Sequence, residues 1–206
     1  MRDDICPGAT FPDYELPDHE GTPTRLSTLQ GSLPMILHLS RGSYCPREHR
    51  WLRGLVSMWP EFRVAFTRVC VISAYDNQLE VNEFRDQLGA EFPFLTDNER
   101  SIAKDLGIQE YTDPVHDGMV PHTFVLEPGL KIHSQYNGYW FWGRPSAHEL
   151  HVDLREVTRK WRADFDLHAP GLREAWDRKD HAPFLVEPPV GKPIRYTEGD
   201  HIGVKR

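Results

Sequence analysis

The stretch Ser40-Arg-Gly-Ser-Tyr-Cys-Pro-Arg-Glu-His49 decides how the rest of the chain is interpreted. It follows the short apolar run Pro34–Leu39, which has the pattern of a buried strand, and it leads into a helical pattern over Arg47–Trp59 that Pro60 is expected to end. Cys45 therefore stands at the N-cap of a helix, and Pro46 takes the first helical position, where its missing N–H costs nothing. The sequence predicts a thiol at a junction between a strand and a helix.

A thiol in this position is expected to be reactive. The unpaired N–H groups and the positive end of the helix dipole favour the thiolate, and Arg41, Arg47 and Arg50 act in the same direction. The thiolate is the nucleophilic form of cysteine. Cys70, inside an apolar run, is instead expected to be an inert core residue.

Composition limits the classes of protein that the chain can belong to. It has 206 residues, 39% of them hydrophobic, and a formal net charge of −7. That is enough apolar material for a core, and the acidic balance argues against nucleic-acid binding. No apolar run approaches the roughly 18 residues of a membrane span, and the acidic, proline-broken N-terminus does not resemble a secretory signal. We therefore expect a cytoplasmic protein that uses neither a membrane nor a nucleic acid.

The order of elements predicts an α/β fold with a central mixed sheet. The pattern is β–α–β–α–α–β–β–α, with parallel strands in the first half and an antiparallel hairpin near the end. A domain over residues 1–160 is expected, followed by a proline-containing tail over 161–206 that is packed on the domain or partly disordered. The elements after the first helix are a strand at Val69–Ser73, three helices, and hairpin strands at Thr123–Glu127 and Leu130–Tyr136. The three helices are expected to be capped by Asn77-x-x-Glu80, Thr96-x-x-Glu99 and Ser146-x-x-Glu149.

These features together resemble the thioredoxin fold and, within it, the peroxiredoxin-like AhpC/TSA (redoxin) proteins. RGSYCP is similar to the RGxWCP segment of that family, and Cys45-Pro-Arg-Glu48 to the start of its peroxidatic helix. Thr123-Phe-Val-Leu-Glu-Pro-Gly129 resembles the family's T-F-V-I-D-x-x-G strand and turn, and Gly143-Arg-Pro-Ser146 the entry to its last helix. Pro121 corresponds to a position near the active site that is often a cis-proline.

The chain also departs from the family pattern. The motif P-x-x-x-T-x-x-C would require Pro and Thr where this chain has His38 and Gly42, so Ser43 or Ser40 would have to supply the hydroxyl. The arginine that precedes the family's T-F-V strand is absent, because His122 stands there.

The resemblance implies a thiol-dependent peroxidase that acts through one cysteine. Cys45 would reduce a hydroperoxide and become a sulfenic acid, and an external thiol would regenerate it without any cofactor. Arg41 or Arg144 would stabilise the leaving oxygen, and Glu48 either orients these arginines or is an ordinary acid of the first helical turn. A homodimer is expected. The residues expected to contact substrate are Tyr44, Pro121, His122, Trp140 and Trp142.

Two other functions fit the same sequence. One is a degenerate thioredoxin-fold protein that binds a partner, and the other is a monothiol transferase acting on disulfides through Cys45. The aromatic stretch Tyr136–Trp142 either recognises substrate or covers the core and a dimer contact. The eleven histidines show no metal-binding spacing, so no metal site is expected.

Overall fold

A computed structural model describes residues 1–74, 77–139, 141–162 and 164–184. A five-stranded mixed sheet carries the fold, in the order β5-β4-β3-β6-β7. The strands β3, β4 and β5 are parallel, whereas β6 runs antiparallel to β3 and β7 antiparallel to β6. The five strands are β3 (Met35–Ser40), β4 (Arg68–Ser73), β5 (Phe94–Thr96), β6 (His122–Glu127) and β7 (Lys131–Asn137).

Helices cover both faces of this sheet. A small hairpin near the N-terminus and two short helices pack on one face and share its apolar cluster. Three longer helices pack on the opposite face and share a second apolar cluster. The elements of the first group are β1 (Glu15–Pro17), β2 (Pro23–Arg25), α1 (Leu26–Gln30) and α4 (Ser101–Asp105). The longer helices are α2 (Pro46–Val64), α3 (Gln78–Leu88) and α5 (Ala147–Trp161), and α6 (Leu172–Asp177) follows them in the chain.

The central strand β3 is buried along its whole length, as its apolar sequence predicts. It lies between β4 and β6, so its carboxyl end is at the middle of one edge of the sheet. The chain that leaves this end leads into α2. The predicted mixed α/β architecture is confirmed. Within the described residues, no helix combines the length and the apolar character that crossing a membrane requires.

Two predicted capping boxes form as expected. The side chain of Asn77 accepts hydrogen bonds from the N–H groups of the first turn of α3, and the carboxylate of Glu80 accepts one from the backbone N–H of Asn77. Ser146 and Glu149 do the same at the start of α5. Each capping box lies within a few neighbouring residues, so it can be recognised from the sequence without knowledge of the fold.

Two local predictions were wrong. Pro60 does not end the long helix, because α2 continues to Val64 and buries Phe62 in the core, and that burial outweighs the hydrogen bond lost at a proline. Thr96 does not cap a helix, because it is the last residue of β5. Asp97 caps α4 instead, by accepting hydrogen bonds from the N–H groups of Ser101 and Ile102, both at 2.9 Å.

Candidate functional site

Cys45 lies between the end of β3 and the start of α2. Its backbone is extended, with φ −90° and ψ 113°, and its carbonyl oxygen accepts hydrogen bonds from the N–H groups of Glu48 at 3.0 Å and His49 at 3.3 Å. Pro46 opens the helix. Cys45 is buried, with 4% of its surface exposed, and it lies at the positive end of a 19-residue helix.

The turn before Cys45 explains why the threonine of the family motif is missing. Gly42 has a φ of 115°, a conformation that side chains with a Cβ rarely adopt. Its N–H donates to Oγ of Ser40 at 3.1 Å, and its carbonyl accepts from the N–H of Cys45 at 3.3 Å. The hydroxyl of Ser40 therefore stabilises the turn. The backbone carbonyl of Ser43 lies 2.6 Å from Nε2 of His49, which ties the turn to α2.

Arg41 brings positive charge to this turn. Its Nε lies 2.8 Å from Oε2 of Glu110, and its Nη2 donates to Oδ2 of Asp113 at 3.1 Å. Burial lowers the pKa of Arg41, but the negative charges of Tyr44, Glu110 and Cys45 in their ionised forms outweigh that effect and raise it. The guanidinium is thus fixed by two carboxylates and interacts electrostatically with the sulfur of Cys45.

Tyr44 forms one wall of the site. Its ring is stacked on the imidazole of His116, with centroids 3.8 Å apart and planes 5° from parallel. Asp113 links this wall to Arg41, because its Oδ2 lies 2.8 Å from Nδ1 of His116 and also accepts the hydrogen bond from Arg41. Burial raises the pKa of Tyr44, so the phenol is neutral at pH 7.

Glu48 lies one helical turn after Cys45 and is completely buried. Its Oε2 is 2.7 Å from Nε2 of His38, and its Oε1 accepts a hydrogen bond from Nη2 of Arg144. Arg144 also donates from Nη1 to the carbonyl of Gly138 at 3.2 Å. Burial raises the pKa of Glu48, but His38 and Arg144 more than offset this and lower it to about 2. The structure therefore brings Glu48 to Arg144 and leaves Arg41 with other carboxylates.

The remaining residues predicted to contact substrate differ in their environments. His122 is 2% exposed and is bonded through Nδ1 to the carbonyl of Val120 at 2.8 Å, and burial lowers its pKa to about 4. The peptide bond before Pro121 is trans, which differs from the cis form common at this position. The side chain of Trp142 is 89% exposed. Trp140 lies outside the described residues.

Sequence reasoning missed several members of this site. His38 was noted only as a departure from the family motif, and Glu110, Asp113 and His116 were not singled out as partners of Arg41 and Tyr44. A histidine inside an otherwise apolar buried strand was the available signal for His38, since a buried polar group needs partners. Within the described part of the chain, no group of three or more His, Cys, Asp or Glu side chains is arranged to hold a metal ion.

Comparison with known proteins agrees with this geometry. The profile of the AhpC/TSA family matches residues 7–135, more than half of the chain. The chain belongs to the AhpC/TSA family. The curated relatives of this AhpC/TSA chain include "Putative peroxiredoxin MT1643" of Mycobacterium tuberculosis, 30% identical over 61% of this chain and 80% of that protein. Another is "Thiol-disulfide oxidoreductase ResA" of Geobacillus thermodenitrificans, 23% identical over 62% of this chain and 67% of that protein.

Solved structures place the same family member in the thioredoxin-like fold. The crystal structure of peroxidoxin BcpB from Mycobacterium tuberculosis superimposes with a TM-score of 0.63 at 21% identity. The alignment covers 75% of this AhpC/TSA chain and 97% of the BcpB chain. The predicted peroxiredoxin-like thioredoxin fold is therefore confirmed.

Proposed function

We propose that this AhpC/TSA protein reduces hydroperoxides through Cys45. The observation that supports the proposal is the position of that thiol at the N-terminus of α2, where it interacts electrostatically with the Arg41 guanidinium that Glu110 and Asp113 hold in place. A helix N-terminus and a held cation both stabilise a thiolate and the negative charge that develops on a leaving oxygen. Cys70 is fully buried, and burial raises its pKa, so it remains an inert thiol.

The reaction uses the atoms of one thiol and one hydroperoxide. The Cys45 thiolate attacks the terminal oxygen of the hydroperoxide, so that an S–O bond forms while the O–O bond breaks. The leaving alkoxide or hydroxide takes up the proton that the thiol released, giving an alcohol or water. The enzyme is left as Cys45 sulfenic acid, and the substrate has been reduced by two electrons. In this proposal the positive charge of Arg41 stabilises the negative charge that passes to the leaving oxygen.

An external thiol completes the cycle in this proposal. It displaces water from the sulfenic acid to give a mixed disulfide, and a second thiol releases Cys45 and leaves as the oxidised partner. All three cysteines are free thiols, and Cys6 is exposed near the N-terminus. The cycle requires no cofactor.

The cellular setting is also a proposal. We place the protein in the cytoplasm, where thiols are kept reduced and an external thiol donor is present. We further propose a homodimer, because large apolar side chains are exposed at Tyr111, Val115 and Trp142, 78–94% of each. Analytical ultracentrifugation would test the second point, and a monomer at micromolar concentration would exclude it.

Trapping of the oxidised cysteine tests the proposed activity. The protein is treated with limiting cumene hydroperoxide or hydrogen peroxide together with dimedone, and the modified residue is located by mass spectrometry. We expect the adduct on Cys45 and none on C45S, with unchanged labelling of C70S and C6S. Modification of Cys6 or Cys70 with an unmodified Cys45 would refute the proposal. Rapid consumption of a disulfide substrate without consumption of peroxide would identify a thiol transferase instead.

A further inference from the structure

The side chain of His38 is held by residues of two other elements of the fold, β6 and α2. It lies in the central strand β3 with no solvent exposure. Its Nδ1 is 3.0 Å from Oγ1 of Thr123 in β6, and its Nε2 is 2.7 Å from Oε2 of Glu48 in α2. The ring also packs on Trp51 of α2, with centroids 4.3 Å apart. Both ring nitrogens are therefore used, and the ring has one orientation.

The contact with Glu48 fixes which nitrogen carries the proton. An ionised carboxylate can only accept hydrogen bonds, so Nε2 of His38 is the donor. The hydroxyl of Thr123 can donate to Nδ1 of a neutral ring or accept from Nδ1 of a protonated one. The charged and titratable groups that face His38 are Glu48, Arg144 through that carboxylate, and His122 from β6.

The two carboxylate oxygens of Glu48 accept hydrogen bonds from different residues. Arg144 binds Oε1 and His38 binds Oε2, so the carboxylate cannot rotate without losing a buried hydrogen bond. The N–H of Glu48 also binds the carbonyl of Cys45 at 3.0 Å. The orientation of this carboxylate thus decides where the charge of Arg144 is held relative to the first turn of α2.

We propose that His38 is a positioning residue for the Cys45 chemistry, because its Nε2–H holds the Glu48 carboxylate against Arg144 in the first turn of the helix that Cys45 caps. This inference rests on the proposed peroxidase function. Without the donor, one oxygen of a buried carboxylate has no partner, and the carboxylate turns away or takes up a proton. Arg144 then loses its fixed position, and Cys45 reacts more slowly although the sheet is intact.

Two amide substitutions separate the hydrogen bond to Glu48 from packing. The amide of glutamine reaches the place of Nε2 and can still donate to Glu48, whereas the shorter amide of asparagine reaches only the place of Nδ1 and the hydroxyl of Thr123. We expect His38→Gln to oxidise Cys45 at nearly the wild-type rate and His38→Asn to slow it by about tenfold or more. Thr123→Val, which removes the other partner of the ring, should have the smaller effect.

Measurements that do not need peroxide keep this test separate from the test of the proposed function. Alkylation of Cys45 by iodoacetamide should follow the same order of variants, and ¹⁵N spectra of the wild-type ring should show the proton on Nε2. Equal slowing in His38→Gln and His38→Asn at equal thermal stability, or a proton on Nδ1 alone, would overturn the role of His38. A wild-type protein that consumes no peroxide but shows the expected alkylation order would refute the peroxidase while the inference about His38 stands.

Discussion

The ring of Tyr44 stacks face to face on the imidazole of His116, 3.8 Å away, although 72 positions separate the two residues in the chain. The stack joins the residue before Cys45 to the loop between α4 and β6. Asp113 of the same loop binds both His116 and Arg41. This one loop therefore positions both the ring of Tyr44 and the guanidinium of Arg41. A substitution in the loop should change the reactivity of Cys45 without contacting it.

Gly118 offers a direct test of this wall. A Cβ built on Gly118 would lie 2.7 Å from the hydroxyl oxygen of Tyr44 and 3.7 Å from the carbonyl oxygen of Arg41. Because the first distance is too short for any real contact, Gly118→Ala should displace the Tyr44 ring and slow dimedone trapping at Cys45. The rate of adduct formation under limiting peroxide measures the effect.

The matched control is Gly54→Ala, in the middle of α2. A Cβ on Gly54 has nothing within 4 Å, so the substitution should leave the trapping rate unchanged. Replacing a glycine inside a helix by alanine should raise the free energy of unfolding by about 0.5–1 kcal/mol, measured in urea. An unchanged trapping rate in Gly118→Ala would show that Tyr44 has no influence on Cys45.

Arg41 should matter far more than its sequence neighbour Arg47. Arg41 is bound by Glu110 and Asp113 and interacts with Cys45, whereas Arg47 is exposed. If Arg41 stabilises the leaving oxygen, Arg41→Gln should lower the rate of Cys45 oxidation by roughly 10²–10³, as does loss of one oxyanion donor elsewhere. Stopped-flow consumption of peroxide measures this rate, with Arg47→Gln as the control for the same loss of charge. Equal rates in the two variants would remove Arg41 from the mechanism.

Local signals in the sequence were sufficient for much of the fold. The apolar run of β3, the Cys45–Pro46 helix start and the caps at Asn77 and Ser146 each lie within a few neighbouring residues. Signals of this kind act through backbone geometry and nearby hydrogen bonds, so they do not depend on the rest of the chain.

The parts that were missed depend on distant contacts. The strand β5 has only three residues, and α2 passes through Pro60 because Phe62 is buried by the core. In the site, Tyr44 and Glu48 stand close to Cys45 in sequence, but their partners His116 and Arg144 come from far along the chain. No short pattern carries that information.

Asp97 should prove to be the cap that the sequence pattern assigned to Thr96 and Glu99. Its carboxylate accepts from the N–H and hydroxyl of Ser101 and from the N–H of Ile102. Asp97→Ala should therefore lower the free energy of unfolding by about 1–2 kcal/mol, measured by urea denaturation. Glu99 is exposed, and Glu99→Ala should cost much less. A larger loss in Glu99→Ala than in Asp97→Ala would restore the original capping prediction.

His122 should make the protein sensitive to mild acid. Burial lowers the pKa of this imidazole from 6.5 to about 4, so between these values the unfolded chain binds a proton that the folded chain does not. The free energy of unfolding should accordingly fall as the pH drops from about 7 to about 4, by on the order of 3 kcal/mol from this group.

His122→Asn should flatten that part of the pH profile. The asparagine amide can donate to the carbonyl of Val120 as Nδ1 of His122 does, but it does not take up a proton. Urea unfolding at pH 7, 5.5 and 4 compares the wild type with this variant and with His181→Asn, an exposed control. Glu48 stays ionised across this range because its pKa is near 2, so it contributes equally to all three proteins. A wild type and a His122→Asn variant that lose stability in parallel would show that this imidazole is protonated in the folded state.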